Sequence, residues 1–168
     1  MKLAIVGATG LVGKEILKVI QERRFFYSEL ILVASKKSKG KEIIVNNKKH
    51  IVITIDELIE QNPEIVLLSA GSSLSKEWAP KLAEIGCKVV DNSSFWRMCS
   101  KHKLIIPEIN GNQINNTDLI IANPNCSTIQ MLVALKPLSI SMRKVVSSPL
   151  TSTRSPSRTT HSLTLRSV

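Results

Sequence analysis

A single cysteine in the stretch NPNCSTIQ, residues 123–130, is the side chain in this sequence best suited to covalent chemistry. Cys126 follows an apolar run typical of a strand and directly precedes an apolar run typical of a helix, so it is predicted at a helix N-terminus. The backbone N–H groups and the dipole at that place lower the pKa of a thiol and favour the nucleophilic thiolate. The alternative is a buried, inert cysteine, and position alone does not decide between the two.

The other two cysteines, Cys87 and Cys99, lack this position and are interpreted as structural or incidental. Three cysteines are an odd number, and none has CxxC or His/Cys metal-ligand spacing, so no metal site is predicted. Reduced thiols are typical of the cytoplasm, which is the predicted location.

A glycine-rich loop, GATGLVG at residues 7–13, could bind a dinucleotide. Gly7 allows a tight turn after the first strand, Gly10 lets the backbone approach a pyrophosphate, and Gly13 lets the next helix pack closely. The N-terminus of that helix offers N–H groups to phosphate oxygens. The spacing is looser than G-x-G-x-x-G, and an ordinary glycine-rich turn is the alternative, but the position between first strand and first helix favours a cofactor.

The segment after the second strand, ASKKSKG at residues 34–40, indicates which dinucleotide would bind. An NAD site requires an Asp or Glu there for the ribose 2′-hydroxyl, and this segment has hydroxyls and lysines instead. A 2′-phosphate would be attracted by that set, which favours NADP, with Ser35, Lys37 and Ser38 nearest to it. A solvated basic loop is the alternative.

Strands and helices alternate around these residues, which predicts an α/β fold with a Rossmann-like, doubly wound and mostly parallel sheet covered on both faces. Strands are predicted at residues 2–6, 30–35, 42–46, 50–55, 64–71, 87–94, 103–110 and 119–125. Helices are predicted at 11–23, at 57–61 with Asp56 as its cap, at 75–86, and at 127–138, closed by Pro137.

The sequence divides into three parts by composition. Residues 1–122 are predicted to form the dinucleotide-binding domain, residues 123–138 the cysteine motif and its helix, and residues 139–168 a disordered tail rich in Ser, Thr and Arg. The net charge of +10 is spread or lies in the tail, and no aromatic residues interleave with it, so nucleic-acid binding is not predicted. No apolar run reaches the length of a membrane span, so no membrane partner is predicted.

Five motifs occur in the order and approximate spacing seen in aspartate-semialdehyde dehydrogenases: GATGLVG, SAGSSLSKEWAP, VDNSSFWRM, IIPEIN and NPNCSTIQ. Together they are highly specific, and the chain resembles that family from residue 1 to about residue 138. The resemblance implies reduction of β-aspartyl phosphate to aspartate semialdehyde with NADPH, through a cysteine thioester, in lysine, threonine and methionine biosynthesis. It also implies a small acyl-phosphate substrate and a family that forms homodimers.

The resemblance further implies roles for individual residues. Cys126 falls on the family nucleophile, Asn125 on a position that helps to hold phosphate, and Arg97 on the arginine that contacts the phosphoryl group. The residues that fall on dinucleotide-binding positions are Gly7, Thr9, Gly10, Leu11 and Val12 in the loop, and Ala70 and Gly71 near the nicotinamide.

Residues 139–168 do not resemble the family, which continues into a larger domain that supplies an acid–base histidine and most of the dimer interface. His161 is not interpreted as a substitute, because its context RTTHSLT matches nothing in the family. Two hypotheses remain: a shortened dehydrogenase that is weak or inactive, or an NADP-binding module with a regulatory or partner-binding role. A reductase of N-acetyl-γ-glutamyl phosphate is less favoured, because NPNCST and SSFWRM resemble the aspartate enzyme. Apolar surface left on the sheet is expected to lower stability and to promote self-association.

Overall fold

The computed structural model describes the backbone of residues 1–147 and the side chains of residues 1–138. In this described part of the chain, eight strands form one sheet, and short apolar runs rich in Ile, Leu and Val account for them. The strands are β1 (Lys2–Val6), β2 (Glu29–Val33), β3 (Glu42–Val45), β4 (Lys48–Ile53), β5 (Ile65–Leu68), β6 (Lys88–Asp91), β7 (Lys103–Leu104) and β8 (Ile120–Ala122).

The strand order across the sheet is β3-β4-β2-β1-β5-β6-β8-β7. All neighbouring pairs are parallel except β3 and β4, which are antiparallel. In the centre, Ile5 of β1 is in register with Leu32 of β2 and with Leu67 of β5. The order reverses direction at β1, and this reversal places the crevice for ligands at the carboxyl ends of β1, β2 and β5. The Rossmann-like α/β class predicted from the sequence is confirmed.

Within residues 1–147, five α-helices connect or follow the strands. They are α1 (Leu11–Glu22), α2 (Ile55–Glu60), α3 (Ser72–Glu84), α4 (Pro107–Asn110) and α5 (Cys126–Ser147), and short 3-10 turns lie at Lys36–Ser38 and Gly111–Gln113. In the described residues, no helix is long and apolar enough to cross a membrane.

The starts of two helices differ from the sequence prediction. Helix α2 is capped by Thr54 and not by Asp56, which is its second residue. The carboxylate of Glu57 accepts hydrogen bonds from both the backbone N–H and the hydroxyl of Thr54, each at 2.9 Å, and the two residues form a capping box that fixes the helix start. Helix α3 begins at Ser72, three residues earlier than predicted, directly after Gly71.

The predicted strand 103–110 is wrong beyond its first two residues. Strand β7 ends at Leu104, and Pro107 begins α4 because proline cannot donate to a ladder but fits the first helical position. The side-chain oxygen of Asn110 accepts a hydrogen bond from the backbone N–H of Ile106 at 2.8 Å, which satisfies a donor at the helix start.

The prediction that Pro137 closes the last helix is also wrong, because α5 continues to Ser147. A proline removes one backbone hydrogen bond from a helix, and the neighbouring bonds can continue it on either side; Pro80 lies inside α3 in the same way. Residues 139–147, which were expected to belong to a disordered tail, therefore have helical backbone. Residues 148–168 lie outside the described residues. The contacts between residues divide the chain into two compact units, Met1–Ala134 and Leu135–Val168.

The core lies on the two faces of the sheet. On one face, Leu17 and Ile20 of α1 pack against Leu3, Ile5 and neighbouring strand residues. On the other face, Leu58 of α2 and Ala79 and Leu82 of α3 pack against the alternate residues of the same strands. The period-two alternation of side chains along each strand supplies both faces from one continuous apolar run.

Candidate active site

A cleft of about 430 Å³ opens at the carboxyl ends of β1, β2 and β5, where the fold places its ligand crevice. Five of the predicted cofactor-binding residues line it: Gly7, Thr9, Gly10, Ser35 and Ala70. The sequence patterns and the topology therefore agree on the same edge of the sheet.

The backbone geometry of the glycine loop requires glycine at two positions. Gly7 has φ +90°, and a Cβ there would run into the carbonyl oxygen of Ser69 on β5's C-terminal side. A Cβ on Gly13 would run into the backbone of Gly7 and Ala8, so Gly13 is what allows α1 to lie against the loop. The backbone N–H groups of Gly7 and Ala8 donate to the carbonyl oxygen of Val33 at 2.9 and 3.1 Å, which ties the loop to β2.

The N-terminus of α1 faces this loop without a side-chain cap. The N-cap residue is Gly10, which has no side chain that could accept a hydrogen bond from the first turn of the helix. The backbone N–H groups in the first turn of a helix have no partner within the helix and can donate hydrogen bonds to an anion. The loop can therefore cradle a pyrophosphate. The side chains of Leu11 and Val12 do not line the cleft, and Leu11 is 87% exposed. Their predicted role in cofactor binding stays a prediction.

The segment after β2 places Ser35 and Lys36 on the cleft, whereas Lys37 and Ser38 are not among its lining residues. Ser38 lies in the 3-10 turn Lys36–Ser38 and is buried. The turn therefore directs Lys36 toward the cleft, a residue that the sequence prediction passed over in favour of its neighbours.

The N-terminus of α2 also lines the cleft, and the sequence analysis did not place it there. Thr54, Ile55 and Asp56 line the cleft, together with Leu74 of α3 and Ser69. No local motif marks these residues, because β4 and α2 reach the cleft only through the parallel pairing of β4 with β2. Nearby, Lys39 contacts Glu57, and this ammonium together with the Thr54 hydrogen bonds lowers the pKa of Glu57 to about 2.

A second polar region lies at the carboxyl ends of β6 and β8, around Arg97. Arg97 Nε donates to the backbone oxygen of Asn123 at 3.0 Å, and Arg97 Nη2 donates to the backbone oxygen of Asn92 at 3.0 Å. The side-chain amide of Asn123 donates to Asn92 Oδ1 at 2.8 Å. Asn92 Nδ2 in turn donates to Ser69 Oγ at 3.4 Å, so the network touches a residue of the cofactor cleft.

Hydrogen bonds to neighbouring residues hold the loop that carries Arg97 in place. Ser93 Oγ donates to the fully buried Asp91 at 2.6 Å and accepts a hydrogen bond from the backbone N–H of Phe95 at 3.2 Å. The indole N–H of Trp96 donates to Ser75 Oγ of α3 at 2.9 Å. The side-chain hydroxyls of Ser72 and Ser94 are 3.0 Å apart, beside Gly71, whose φ of +89° turns the chain from β5 into α3.

Cys126 is the first residue of α5 and is exposed. Asn125 caps the helix: its Oδ1 accepts a hydrogen bond from the backbone N–H of Ser127 at 2.9 Å and lies 3.6 Å from Cys126 Sγ. The predicted position at a helix N-terminus is thus confirmed. Cys87 is buried and Cys99 half-buried, so the three free thiols have different environments.

The arrangement suits a reaction between a bound dinucleotide and a group held at Cys126. Asn123 links Arg97 to the strand end from which the chain runs into Cys126, and the Asn92–Ser69 contact connects that strand end to the cleft. Within the described residues, no cluster of three or more His, Cys, Asp or Glu side chains could hold a metal ion.

Comparison with known proteins identifies a family for this arrangement. The family described as "Semialdehyde dehydrogenase, NAD binding domain" matches residues 2–117. The aspartate-semialdehyde dehydrogenase of Aquifex aeolicus is 50% identical over 143 residues, which is 82% of this chain and 41% of that protein. Aspartate-semialdehyde dehydrogenase 2 of Vibrio cholerae is 49% identical over 139 residues, or 81% of this chain and 41% of that protein.

Solved structures agree with the sequence comparison. The crystal structure of aspartate semialdehyde dehydrogenase II from Vibrio cholerae, complexed with ASA, superposes with a TM-score of 0.79 at 48% identity. The superposed region covers 83% of this chain and 46% of the Vibrio cholerae chain. A Candida albicans aspartate semialdehyde dehydrogenase with NADP has a TM-score of 0.65 at 22% identity, which shows a shared fold. This chain thus spans about two fifths of the length of the curated relatives it matches.

Proposed function

Because the chain belongs to the semialdehyde dehydrogenase family, we propose that its described residues bind NADP and supply the nucleophile for reduction of β-aspartyl phosphate to aspartate semialdehyde. The observation that carries this proposal is the placement of Cys126 at the start of α5, joined through Asn123 and Asn92 to Ser69 of the glycine-loop cleft. Both the thiol and the cofactor cleft therefore lie at the same edge of one sheet.

The cofactor proposal rests on how the cleft is built. Gly7 and Gly13 leave no room for side chains, so the loop packs directly against Ser69 and the first turn of α1 lies close to the loop, which places the helix N-terminus where a pyrophosphate would bind. Thr9 and Gly10 would hold the phosphates with the α1 N-terminus, and Ala70 and Gly71 would lie near the nicotinamide. When bound, the reduced dinucleotide supplies a hydride.

The preference for NADP over NAD rests on Ser35 and Lys36 at the cleft. A 2′-phosphate carries negative charge, and a serine hydroxyl and an ammonium can both donate to it. Lys37 and Ser38, proposed from the sequence, would act in a supporting way, Lys37 by its charge and Ser38 by shaping the turn. Asp56 also lines the cleft, and its charge would disfavour a phosphate placed directly against it.

The chemical step proposed for Cys126 is nucleophilic. The thiolate attacks the acyl carbon, the bond from that carbon to the phosphate oxygen breaks, and the phosphate leaves with the electron pair. Cys126 would hold the acyl group as a thioester whose carbon could accept the hydride that a bound NADPH would supply, with release of the thiolate and of the aldehyde. Asn125, which caps α5 beside the thiol, and Arg97 would hold the phosphoryl group. A guanidinium has five N–H donors, and the two bonds to Asn92 and Asn123 use two of them.

A second function is an NADP-binding module with a regulatory or partner-binding role and little turnover of its own. The observation that favours it is the lining of the glycine-loop cleft, which contains neither Cys126 nor Arg97, so a dinucleotide could bind there without the proposed chemical step. The three free cysteines fit a cytoplasmic setting for either function.

The test separates binding, acylation and turnover. NADPH and NADH are titrated into the purified chain by fluorescence, and the chain is then incubated with aspartate semialdehyde, NADP and phosphate while NADPH formation is followed. Intact-mass spectrometry after addition of an acyl phosphate detects a thioester, with Cys126→Ser as the control. Binding with acylation supports the first function; binding of NADPH without acylation or turnover supports the second; binding of neither dinucleotide overturns both.

A further inference from the structure

Asp91, the last residue of β6, has a carboxyl group that lies entirely inside the protein. Its side chain is 0% exposed, and its neighbours in register, Leu68 of β5 and Ala122 of β8, are buried as well. Side chains alternate along a strand, so Asp91 lies on the same face as Val89, which belongs to the core cluster under α2 and α3. A carboxyl group is costly to bury in apolar surroundings, and its hydrogen bonds therefore indicate what it contributes.

One side-chain hydrogen bond joins Asp91 to the loop that follows β6. Ser93 Oγ donates to Asp91 Oδ2 at 2.6 Å, which is at the short end of the range for O–H···O bonds. The other oxygen, Asp91 Oδ1, is buried and has no hydrogen-bond partner among the described residues. Because an unpaired buried acceptor lowers stability, the fold alone does not account for a carboxyl group at this place.

The bond to Asp91 fixes the direction of the Ser93 hydroxyl. A hydroxyl has a single proton, and Ser93 donates it to Asp91, so the lone pairs of Ser93 Oγ face the chain ahead. There they accept a hydrogen bond from the backbone N–H of Phe95 at 3.2 Å. Ser93 is itself buried, so this turn is held inside the protein. The carboxyl group of Asp91 therefore sets the turn that leads, two residues later, to Arg97.

The backbone beside Asp91 also holds both oxygens that the guanidinium contacts. Arg97 Nη2 donates to the backbone oxygen of Asn92, which is bonded to Asp91 along the chain. Arg97 Nε donates to the backbone oxygen of Asn123, and the backbone N–H of Asn123 donates to the carbonyl oxygen of Asp91 at 2.8 Å. One buried residue thus connects the loop that carries the donor with the two strand ends that accept from it.

We propose that Asp91 is a positioning residue: through Ser93 it sets the turn that directs the Arg97 guanidinium to the strand ends beside Cys126. This role deepens the function proposed above and rests on it for what Arg97 does toward a phosphoryl group. The position of Arg97 can nevertheless be measured without any ligand, so the two parts separate in experiment.

The Nε–H signal of Arg97 in proton–nitrogen correlation NMR spectra measures this position, with Arg97→Lys for its assignment. Because Nε donates to the oxygen of Asn123, its proton should exchange with water about tenfold more slowly, or slower still, than that of the exposed Arg24. Asp91→Leu removes the acceptor of the Ser93 hydroxyl and should abolish this difference. Asp91→Asn keeps an acceptor oxygen and should preserve most of it.

Two further variants separate positioning from a general loss of stability. Asp118→Leu is the matched control, because Asp118 accepts a hydrogen bond from Lys103 at 2.7 Å and has none to the Arg97 loop. Its urea midpoint can fall, but its Arg97 signal should not change. Ser93→Ala removes the hydroxyl alone and should repeat the effect of Asp91→Leu, and it decides the matter if Asp91→Leu does not fold. The Trp96–Ser75 bond still attaches the loop to α3 in all of them.

The results that would overturn the proposal are specific. Unchanged Arg97 exchange in folded Asp91→Leu or Ser93→Ala would make Asp91 structural only. Equal loss in Asp91→Leu and Asp91→Asn would also overturn it, since the acceptor oxygen would then not matter. So would an Arg97 proton that exchanges as fast as that of Arg24 in the wild type.

Inorganic phosphate, titrated while the same Arg97 signal is followed, tests the link to function. A phosphate-dependent shift in the wild type that Asp91→Leu lacks supports both the positioning role and the anion contact of Arg97. The absence of any shift in the wild type, with exchange still dependent on Asp91, supports the positioning role and overturns the phosphoryl contact in the function proposed above.

Discussion

Arg97 and Asn123 are joined across the sheet: Arg97 Nε donates to the backbone oxygen of Asn123 at 3.0 Å, three residues before the thiol of Cys126. The same guanidinium donates from Nη2 to the backbone oxygen of Asn92 at 3.0 Å. Arg97 therefore bridges the carboxyl ends of β6 and β8. A residue proposed to hold a phosphoryl group is thus also a brace for the strand ends beside the nucleophile.

This bridge predicts that Arg97→Ala lowers the free energy of unfolding as well as any phosphate binding. Two hydrogen bonds from a charged donor to carbonyls are lost, which costs about 1.5–3 kcal/mol each at most and less at a half-exposed position. Arg97→Lys should also be destabilised, because an ammonium cannot reproduce the planar fork. Urea unfolding measures both. Lys101→Ala, an exposed charge in the same loop, is the control, and equal stability of all variants would contradict the bracing role.

The selectivity for the 2′-phosphate should depend on Lys36 more than on Lys37. Lys36 lines the cleft and Lys37 does not. Lys36→Glu is expected to weaken NADPH binding by about tenfold, since the loss of one charge-assisted contact is about 1.4 kcal/mol or more. NADH binding should change little, because NADH lacks the 2′-phosphate.

Fluorescence titrations of Lys36→Glu and Lys37→Glu with both dinucleotides distinguish local contact from general charge. The two variants have the same net charge, so equal weakening would show that only the overall field matters. A larger effect of Lys37→Glu would favour the residue chosen from the sequence.

The sequence predicted those features that depend on local pattern. Gly7 and Gly10 predicted the loop, and Asn125-Cys126 before an apolar run predicted the helix N-terminus, because tight turns and helix caps depend on a few neighbouring residues. The alternation of short apolar runs with helical stripes was enough to predict a parallel α/β sheet.

Features that depend on chain segments far apart could not be predicted in the same way. Asp56 and Thr54 reach the cofactor cleft only because β4 pairs with β2, which no local pattern states. The choice between Lys36 and Lys37 depends on one 3-10 turn, whose bounds a lysine-rich segment does not fix. Pro107 ended a run of apolar residues that otherwise favours a strand, and local proline chemistry prevailed there.

Gly7 is predicted to be intolerant of any side chain, beyond the strain of its backbone. Gly7 and Gly40 both have positive φ, at +90° and +80°, but only at Gly7 would a Cβ meet the backbone of Ser69. Gly40→Ala should therefore show the conformational cost alone, about 1 kcal/mol, whereas Gly7→Ala should cost more and also reduce dinucleotide binding. Urea unfolding of the two variants gives the comparison. Similar losses in both would mean that the loop moves to accept the methyl group.

Glu57 should make the free energy of unfolding depend on pH in the acidic range. Its pKa is lowered from the usual 4.5 to about 2, first by the hydrogen bond from Lys39 and then by those from Thr54. A lowered folded-state pKa means that the stabilisation is present above pH 4.5 and is lost as the pH falls toward 2. Glu57→Gln should be less stable at neutral pH and lose less on acidification. Thermal melts over this range test it, with the exposed Glu60→Gln as control; parallel pH curves for wild type and Glu57→Gln would contradict the assignment.

Cys126 should be the first of the three thiols to react. It is exposed at the N-terminus of α5, whereas Cys87 is buried and burial raises its pKa to about 12, which leaves almost no thiolate at neutral pH. Cys99 is the informative comparison, because it is half-buried and lies outside any helix. Iodoacetamide labelling resolved by peptide mass should give the order Cys126, Cys99, Cys87. Asn125→Ala removes the oxygen that accepts from the thiol and frees the backbone N–H of Ser127, so it should speed the reaction of Cys126 without changing that of Cys99. If Cys99 reacts as fast as Cys126 in the native chain, exposure alone explains the rates, and the helix N-terminus does not activate the proposed nucleophile.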